Sequence, residues 1–240
     1  MRVKLDAKKQ SGNVLFLILI AVALFGVLAY SVTQSMRGGD AQAVDTDRMS
    51  NSALIQYSVG IRSNVMRMTF DGRQKENLEF NAPADFANCS TGFFNCVFHP
   101  EGGGAAYQLL MPDSMTNATP NEWIFNGENE INLLGSSTTG DSVSPLTADI
   151  ISFMPGITQR FCQSINTTIG IDLIPEETGI IFTSNSSMVN PNGFTPTQIT
   201  GGGATIGSPA GVNVEVLDGQ LYGCFEQNGQ YVYFHSIVEQ

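Results

Sequence analysis

Positive charge is scarce in this chain and nearly absent over most of its length. Of 240 residues, 11 are Lys or Arg and 22 are Asp or Glu, for a formal charge of −11. Beyond Glu76 the one basic residue is Arg160, set against sixteen acidic ones. Proteins hold nucleic-acid phosphates with clustered Lys and Arg, so this surface repels them and no nucleic-acid partner is expected. Histidine is rare too, with only His99 and His235. No Cys-x-x-Cys pair occurs, which leaves zinc without its usual ligand spacing. No Gly-x-Ser-x-Gly elbow is present, because Gly207-Ser208-Pro209-Ala210-Gly211 has its serine misplaced. Gly201-Gly202-Gly203 is not followed by Gly-Lys-Ser/Thr and is read as a flexible loop, not a phosphate cradle. An Asp-x-Asp-x-Asp-Gly calcium loop is missing as well. Glu176, Glu177 and Asp218 read as solvated turn charges, and His235 as a surface or edge residue of an alternating strand. The expectation is a protein with no catalytic residues, no cofactor and no assigned metal ligands, with calcium left open for an acidic exported domain.

The second absence is local. Between Lys9 and Arg37 no residue is charged, and Val14–Val32 is apolar enough and long enough to cross a hydrocarbon core of about 30 Å as a helix. Arg2, Lys4, Lys8 and Lys9 precede it and hold that end in the cytoplasm, which places the rest of the chain outside. A secretory signal peptide has a shorter apolar core, of about 7–15 residues, and a small-residue cut site after it. Here Ala41-Gln42-Ala43 comes too late, beyond Arg37.

A short charged leader that ends in glycine directly before the apolar helix resembles the prepilin signal of type IV pilins and pseudopilins. The residues that carry the likeness are Lys8, Lys9 and Gly12, then Asn13, then Val14–Tyr30. The resemblance implies cleavage between Gly12 and Asn13 by a prepilin peptidase. Residues 1–12 are then a leader, 13–36 a transmembrane and filament-core helix, 37–68 its amphipathic continuation and 69–240 an extracytoplasmic head. The first twelve residues carry four basic and one acidic side chain, so the chain beyond them has a charge of −14. Main subunits of that family carry a glutamate five residues into the mature chain, where this chain has Leu17. That departure resembles minor subunits at or near a filament tip. The partners implied are the peptidase, other pilin or pseudopilin subunits, an inner-membrane assembly platform and, before assembly, the lipid bilayer. The location implied is a single pass through the inner membrane with a periplasmic head, extracellular once assembled. The alternative is an uncleaved membrane-tethered binding or adhesin domain that never enters a filament.

Beyond Gly38-Gly39, which should loosen the first helix, Asp40 is a candidate N-cap for a second helix reaching about Met68. Leu54, Ile61, Val65 and Met68 form one apolar stripe, too short a repeat for a coiled-coil stalk. Tyr107–Met111, Trp123–Phe125 and Ile131–Leu134 read as short strands. Leu146–Met154 is apolar and Pro155-Gly156 breaks it, after which a short helix is expected from about Thr158 to Thr168. Alternating Val212, Val214 and Val216, the turns Asp218-Gly219 and Asn228-Gly229, and the runs Leu221–Phe225 and Tyr231–Val238 predict a three-strand C-terminal meander. The fold class is therefore α+β: a long N-terminal helix against an antiparallel sheet. Cys89, Cys96, Cys162 and Cys224 suit an oxidising compartment and allow three pairings. Proximity favours Cys89–Cys96, which leaves Cys162–Cys224 to clip the internal helix to the meander. That layout also resembles the type IVb pilins. Asn88, Asn117, Asn166 and Asn185 match the glycosylation acceptor pattern, as composition alone would produce.

Overall fold

The structure is a computed structural model that describes residues 12–36, 39–90, 92–109, 115–116, 122–135, 143, 148–182, 188, 199, 201–207 and 216–239. Two units divide the chain, Met1–Thr46 and Asp47–Gln240.

In the first unit an uncharged run of Leu, Ile, Val, Ala and Phe satisfies its backbone internally and forms helix α1, Gly12–Met36. Helix α2 is Gly39–Phe70 and begins in this unit. Asp40 is therefore inside the first turn and not the N-cap, because the helical bonding already includes Gly39. Of Gly38-Gly39, where the first helix is expected to loosen, Gly38 lies outside the described residues and Gly39 is helical.

The second unit is a mixed α+β head. Its strands are β1 (Ile124–Asn126), β2 (Glu130–Ile131), β3 (Ile150–Ile157), β4 (Thr205–Ile206), β5 (Tyr222–Gln227) and β6 (Gln230–Val238), with helix α3 (Gln159–Thr168) after β3. Four of them form a sheet in the order β1-β3-β6-β5, with every neighbouring pair antiparallel, while β2 and β4 make a small parallel pair.

Both faces of the four-stranded sheet are covered. On one face Phe125, Met154, Ile157, Tyr233 and Ile237 pack with the α2 stripe and with Phe161 and Ile165 of α3. On the other, Ile151, Phe153, Phe225, Val232 and Phe234 pack with Ile131, Ile171, Ile180, Phe182, Ile206 and Leu217. The stripe itself is wider than its apolar members suggest. Leu54, Ile61, Val65 and Met68 are buried, and so are Asn51 and Ser58 between and before them. Asn51 donates to Ser164 Oγ at 2.6 Å, and the hydroxyls of Ser58 and Tyr233 meet at 3.3 Å.

The β5–β6 hairpin turns at Asn228-Gly229 as expected, with φ of +55° and +78°, the left-handed pair that tight hairpins require. Its other expected strand falls almost wholly on residues that are not described. Val212 and Val214 lie outside the described residues, 216–219 is a turn, and β6 instead takes β3 as its second neighbour. Nor does Pro155-Gly156 break β3, which runs through to Ile157. The β1 partners end at Phe153, so the proline sits past that ladder, and Gly156, at φ +79°, falls within a register shift opposite β6. Residues 107–109 are not a strand. The Gln108 N–H donates to Tyr57 Oη and its carbonyl accepts from Trp123 Nε1, so side chains use the groups a ladder would need. Leu110 and Met111 are outside the described residues. The Gly201-Gly202-Gly203 loop is pinned, with N–H groups donating to the carbonyls of Gly127, Val143 and Glu128 respectively. A Cβ on Gly203 would come within 2.2 Å of Asn129 Oδ1.

Candidate functional site

The candidate site is α1 together with the bridges that staple the head. Gly12 is the first residue of α1, Asn13 the second and Leu17 is just over one turn on; residues 1–11 lie outside the described residues. Nineteen residues, Val14–Val32, are long and apolar enough to cross a membrane, and none of that span is buried by the rest of the chain. At 1.5 Å per residue the span is about 28 Å long. Leu17 is 59% exposed, in line with Leu15, Phe16, Ile18 and Leu19 around it. Such a continuous apolar surface is stable only in lipid or against other apolar helices.

The head holds both expected bridges, Cys89–Cys96 and Cys162–Cys224, with Cα atoms 6.2 and 5.4 Å apart. Around the first, the buried Glu79 carboxylate accepts from the Ser90 N–H at 2.9 Å and from Ser90 Oγ at 2.6 Å. Glu79 also lies beside both sulfurs, but these are bonded to each other and offer no thiolate to a metal. His99 stacks on Phe93 at 4.1 Å and meets Phe86 edge-on at 4.8 Å, a packing role.

The second bridge joins α3 to β5. Thr158 caps α3 by accepting from the Phe161 N–H, which turns Phe161, Cys162 and Ile165 inward. One turn on, Asn166 acts as a substitute strand. Its Nδ2 donates to the Cys224 carbonyl, and its Oδ1 accepts from the Cys224 N–H, both at 2.8 Å. Asn166 is fully buried, so its match to a glycosylation acceptor carries no sugar in the folded head. Beyond it, residues 175–180 cover the open edge of β5. Glu226 N–H donates to the Pro175 carbonyl, Glu177 N–H to the Glu226 carbonyl, and the Gln227 amide pairs with the backbone of Ile180.

Two acid–base expectations are corrected. His235 is neither at the surface nor on an edge, because β6 lies inside the sheet and both faces are covered. Its ring stacks on Tyr222, and Nδ1 lies 2.7 Å from the Ser236 carbonyl. Burial lowers its pKa to about 4; the Ser236 contact opposes that shift and the Arg62 charge adds to it. Glu177 is not solvated. It is 3% exposed within the second core, and burial pushes it up to about 7. The Gly207 N–H it accepts opposes that rise, and the nearby Asp218 charge reinforces it. Asp218 accepts from Asn132 Nδ2 at 3.0 Å, and Glu176 is exposed.

The His235 shift has a measurable sign. The unfolded chain takes up a proton near pH 6.5 that the folded head refuses until about pH 4. The stability it supplies is fully present above pH 6.5 and is lost as pH falls toward 4, on the order of 3 kcal/mol. Glu177 acts in the opposite direction over an overlapping range. Urea midpoints between pH 7 and 4.5 should therefore be compared for the parent and His235→Phe, which keeps a ring on Tyr222. The parent's midpoint should fall relative to the variant's as the pH is lowered.

Sequence reasoning missed Asn51, Ser58, Asn166 and the Arg62–Glu239 pair. Arg62 forks onto the Glu239 carboxylate, with Nη2 to Oε2 at 2.8 Å, and also donates to the Ser236 carbonyl at 3.1 Å. These pairings hold Glu239 below the usual carboxylate range. A scan of family models and searches of curated proteins and solved structures found no match to this chain.

Proposed function

We propose that this chain is a non-catalytic, minor, pilin-like subunit of a type IV pilus or a secretion pseudopilus, assembled through α1. The observation that carries the proposal is an uncovered helix without charge, Val14–Val32, that follows directly on a short basic segment ending in Gly12. The two disulfides and the acidic head favour an oxidising compartment outside the cytoplasm. On this proposal the head has a pilin-like fold, α1 lies in the inner membrane until assembly, and the partners are the prepilin peptidase, neighbouring subunits and the assembly platform. The intact mass of the membrane-bound protein tests it. Loss of Met1–Gly12 is the expected result, and a complete N-terminus would establish the uncleaved tether instead.

Leu17 tests the position in the filament. A carboxylate in a membrane helix costs about 2.5–3.5 kcal/mol on insertion scales, so Leu17→Glu should still insert. A tip or initiating subunit has no amine above it for that carboxylate to meet, so its share of sheared filaments should not rise. A large rise in its ratio to the main pilin would overturn the tip assignment.

A further inference from the structure

Glu79 sets a negative charge against the Cys89–Cys96 bridge. Its side chain and Cys96 are fully buried, whereas Cys89 is 7% exposed. Glu79 Oε2 lies 3.0 Å from Cys96 Sγ, and a Glu79 carboxylate oxygen and the two sulfurs all fall within 4.8 Å of one another. With the sulfurs bonded to each other, no thiol hydrogen occupies that contact. The charge is held in place by Ser90, through its N–H at 2.9 Å and its Oγ at 2.6 Å. The backbone fixes it from the other side. The Glu79 N–H donates to the Asn95 carbonyl at 2.9 Å and its carbonyl accepts from the Val97 N–H at 2.8 Å, which pairs residue 79 directly with Cys96. Among the described residues the salt bridge is Arg62–Glu239, and Glu79 takes no part in it.

In thiol–disulfide exchange a thiolate attacks one sulfur, and the electron pair of the S–S bond leaves on the other. The step is slow where the leaving sulfur carries that charge poorly. Attack at Cys89, the more accessible of the two, sends the pair to Cys96 Sγ. A thiolate would then form 3.0 Å from the Glu79 carboxylate, in a buried place where charge is weakly screened. Attack at Cys96 instead brings an anion into a fully buried position against the same carboxylate. We propose that Glu79 locks the Cys89–Cys96 pairing against thiolate attack. Complete reduction consumes two external thiols, releases their disulfide and leaves a proton on each of Cys89 and Cys96; Glu79 opposes the first of the two exchanges. The lock has a use in this chain. Cys162 and Cys224 come later in the sequence, and as thiols either one could attack the earlier bridge and interconvert the three possible pairings. The inference does not depend on whether the chain enters a filament.

The test follows reduction of the full chain in detergent by dithiothreitol, with free thiols alkylated at intervals and each bridge mapped by peptide mass. Glu79→Gln removes the charge and keeps an oxygen to accept from Ser90. It should speed reduction of Cys89–Cys96 at least about tenfold and leave the Cys162–Cys224 rate unchanged. Ser90→Ala removes a hydrogen bond from the same loop and keeps the charge, so its rate should stay within about twofold of the parent's. In the parent, Cys89–Cys96 should also be reduced at least about tenfold more slowly in the folded head than in urea. An unchanged rate in Glu79→Gln overturns the proposal. Acceleration by Ser90→Ala equal to that by Glu79→Gln does so too, since a loosened loop would then be the cause. Equal rates for the folded and urea-unfolded parent overturn it even if a variant fails to fold.

Discussion

A Gly12→Val chain is expected to keep residues 1–12, whereas the parent loses them. Valine costs a helix only a few tenths of a kcal/mol more than most residues, so the substitution leaves α1 helical. The head, residues 47–240, is a separate unit and should unfold at the same temperature in both proteins. The effect is thus confined to the peptide bond after position 12, where the implied peptidase accepts only a small residue. A retained leader keeps Arg2, Lys4, Lys8 and Lys9 at the helix start, and these charges cannot be buried among apolar helices. The substituted protein should stay in the membrane fraction and be missing from sheared filaments. Equal masses for the two membrane-bound proteins would remove the main support for a pilin-like role.

The largest stability effect should come from the bridge between α3 and β5. Chain-entropy reasoning assigns about 4 kcal/mol to a bridge across 62 residues and about 2.5 kcal/mol to one across 7. Replacing Cys162 and Cys224 together by Ala should therefore lower the urea-derived stability of the head by about 4 kcal/mol, plus the loss of two fully buried sulfurs from the core. The Cys89/Cys96 double variant should lose less. The Asn166 bonds to Cys224 do not use the sulfur, so α3 should stay docked when the bridge is gone. Adding Asn166→Ala should then undock it, seen as loss of amide-exchange protection in α3 and β5. A smaller loss for the Cys162/Cys224 pair than for the Cys89/Cys96 pair would reverse the ranking.

What could be read from sequence was local. The charge-free helix, the Asn228-Gly229 hairpin and the Thr158-capped helix α3 all depend on residues within a few positions of one another. The α2 stripe was visible through four apolar residues and hidden at Asn51 and Ser58, although their places in the 3-and-4 spacing were open to inspection. Alternation around His235 implies a sheet with one wet face, whereas this sheet is covered on both. Two adjacent acids, Glu176 and Glu177, look like a turn in sequence, while the β5 edge that leaves Glu176 out and buries Glu177 is distant along the chain. The β3–β6 pairing and the Asn166 substitution for a strand are non-local, and no short pattern announces either.

The order in which the strands emerge has a consequence for timing. β6, the last of the sheet's four strands in chain order, occupies an interior position between β3 and β5, and Glu239 just after it is tied to Arg62. A nascent or partly translocated chain ending before residue 230 has β1 and β3 but nothing to join them to β5. Its apolar faces remain open and its helix α2 has no floor. The head should thus gain cooperative structure in one late step, when synthesis or passage through the membrane is essentially finished. Until then the chain stays extended and threadable, and exposed to proteases and chaperones on whichever side it emerges.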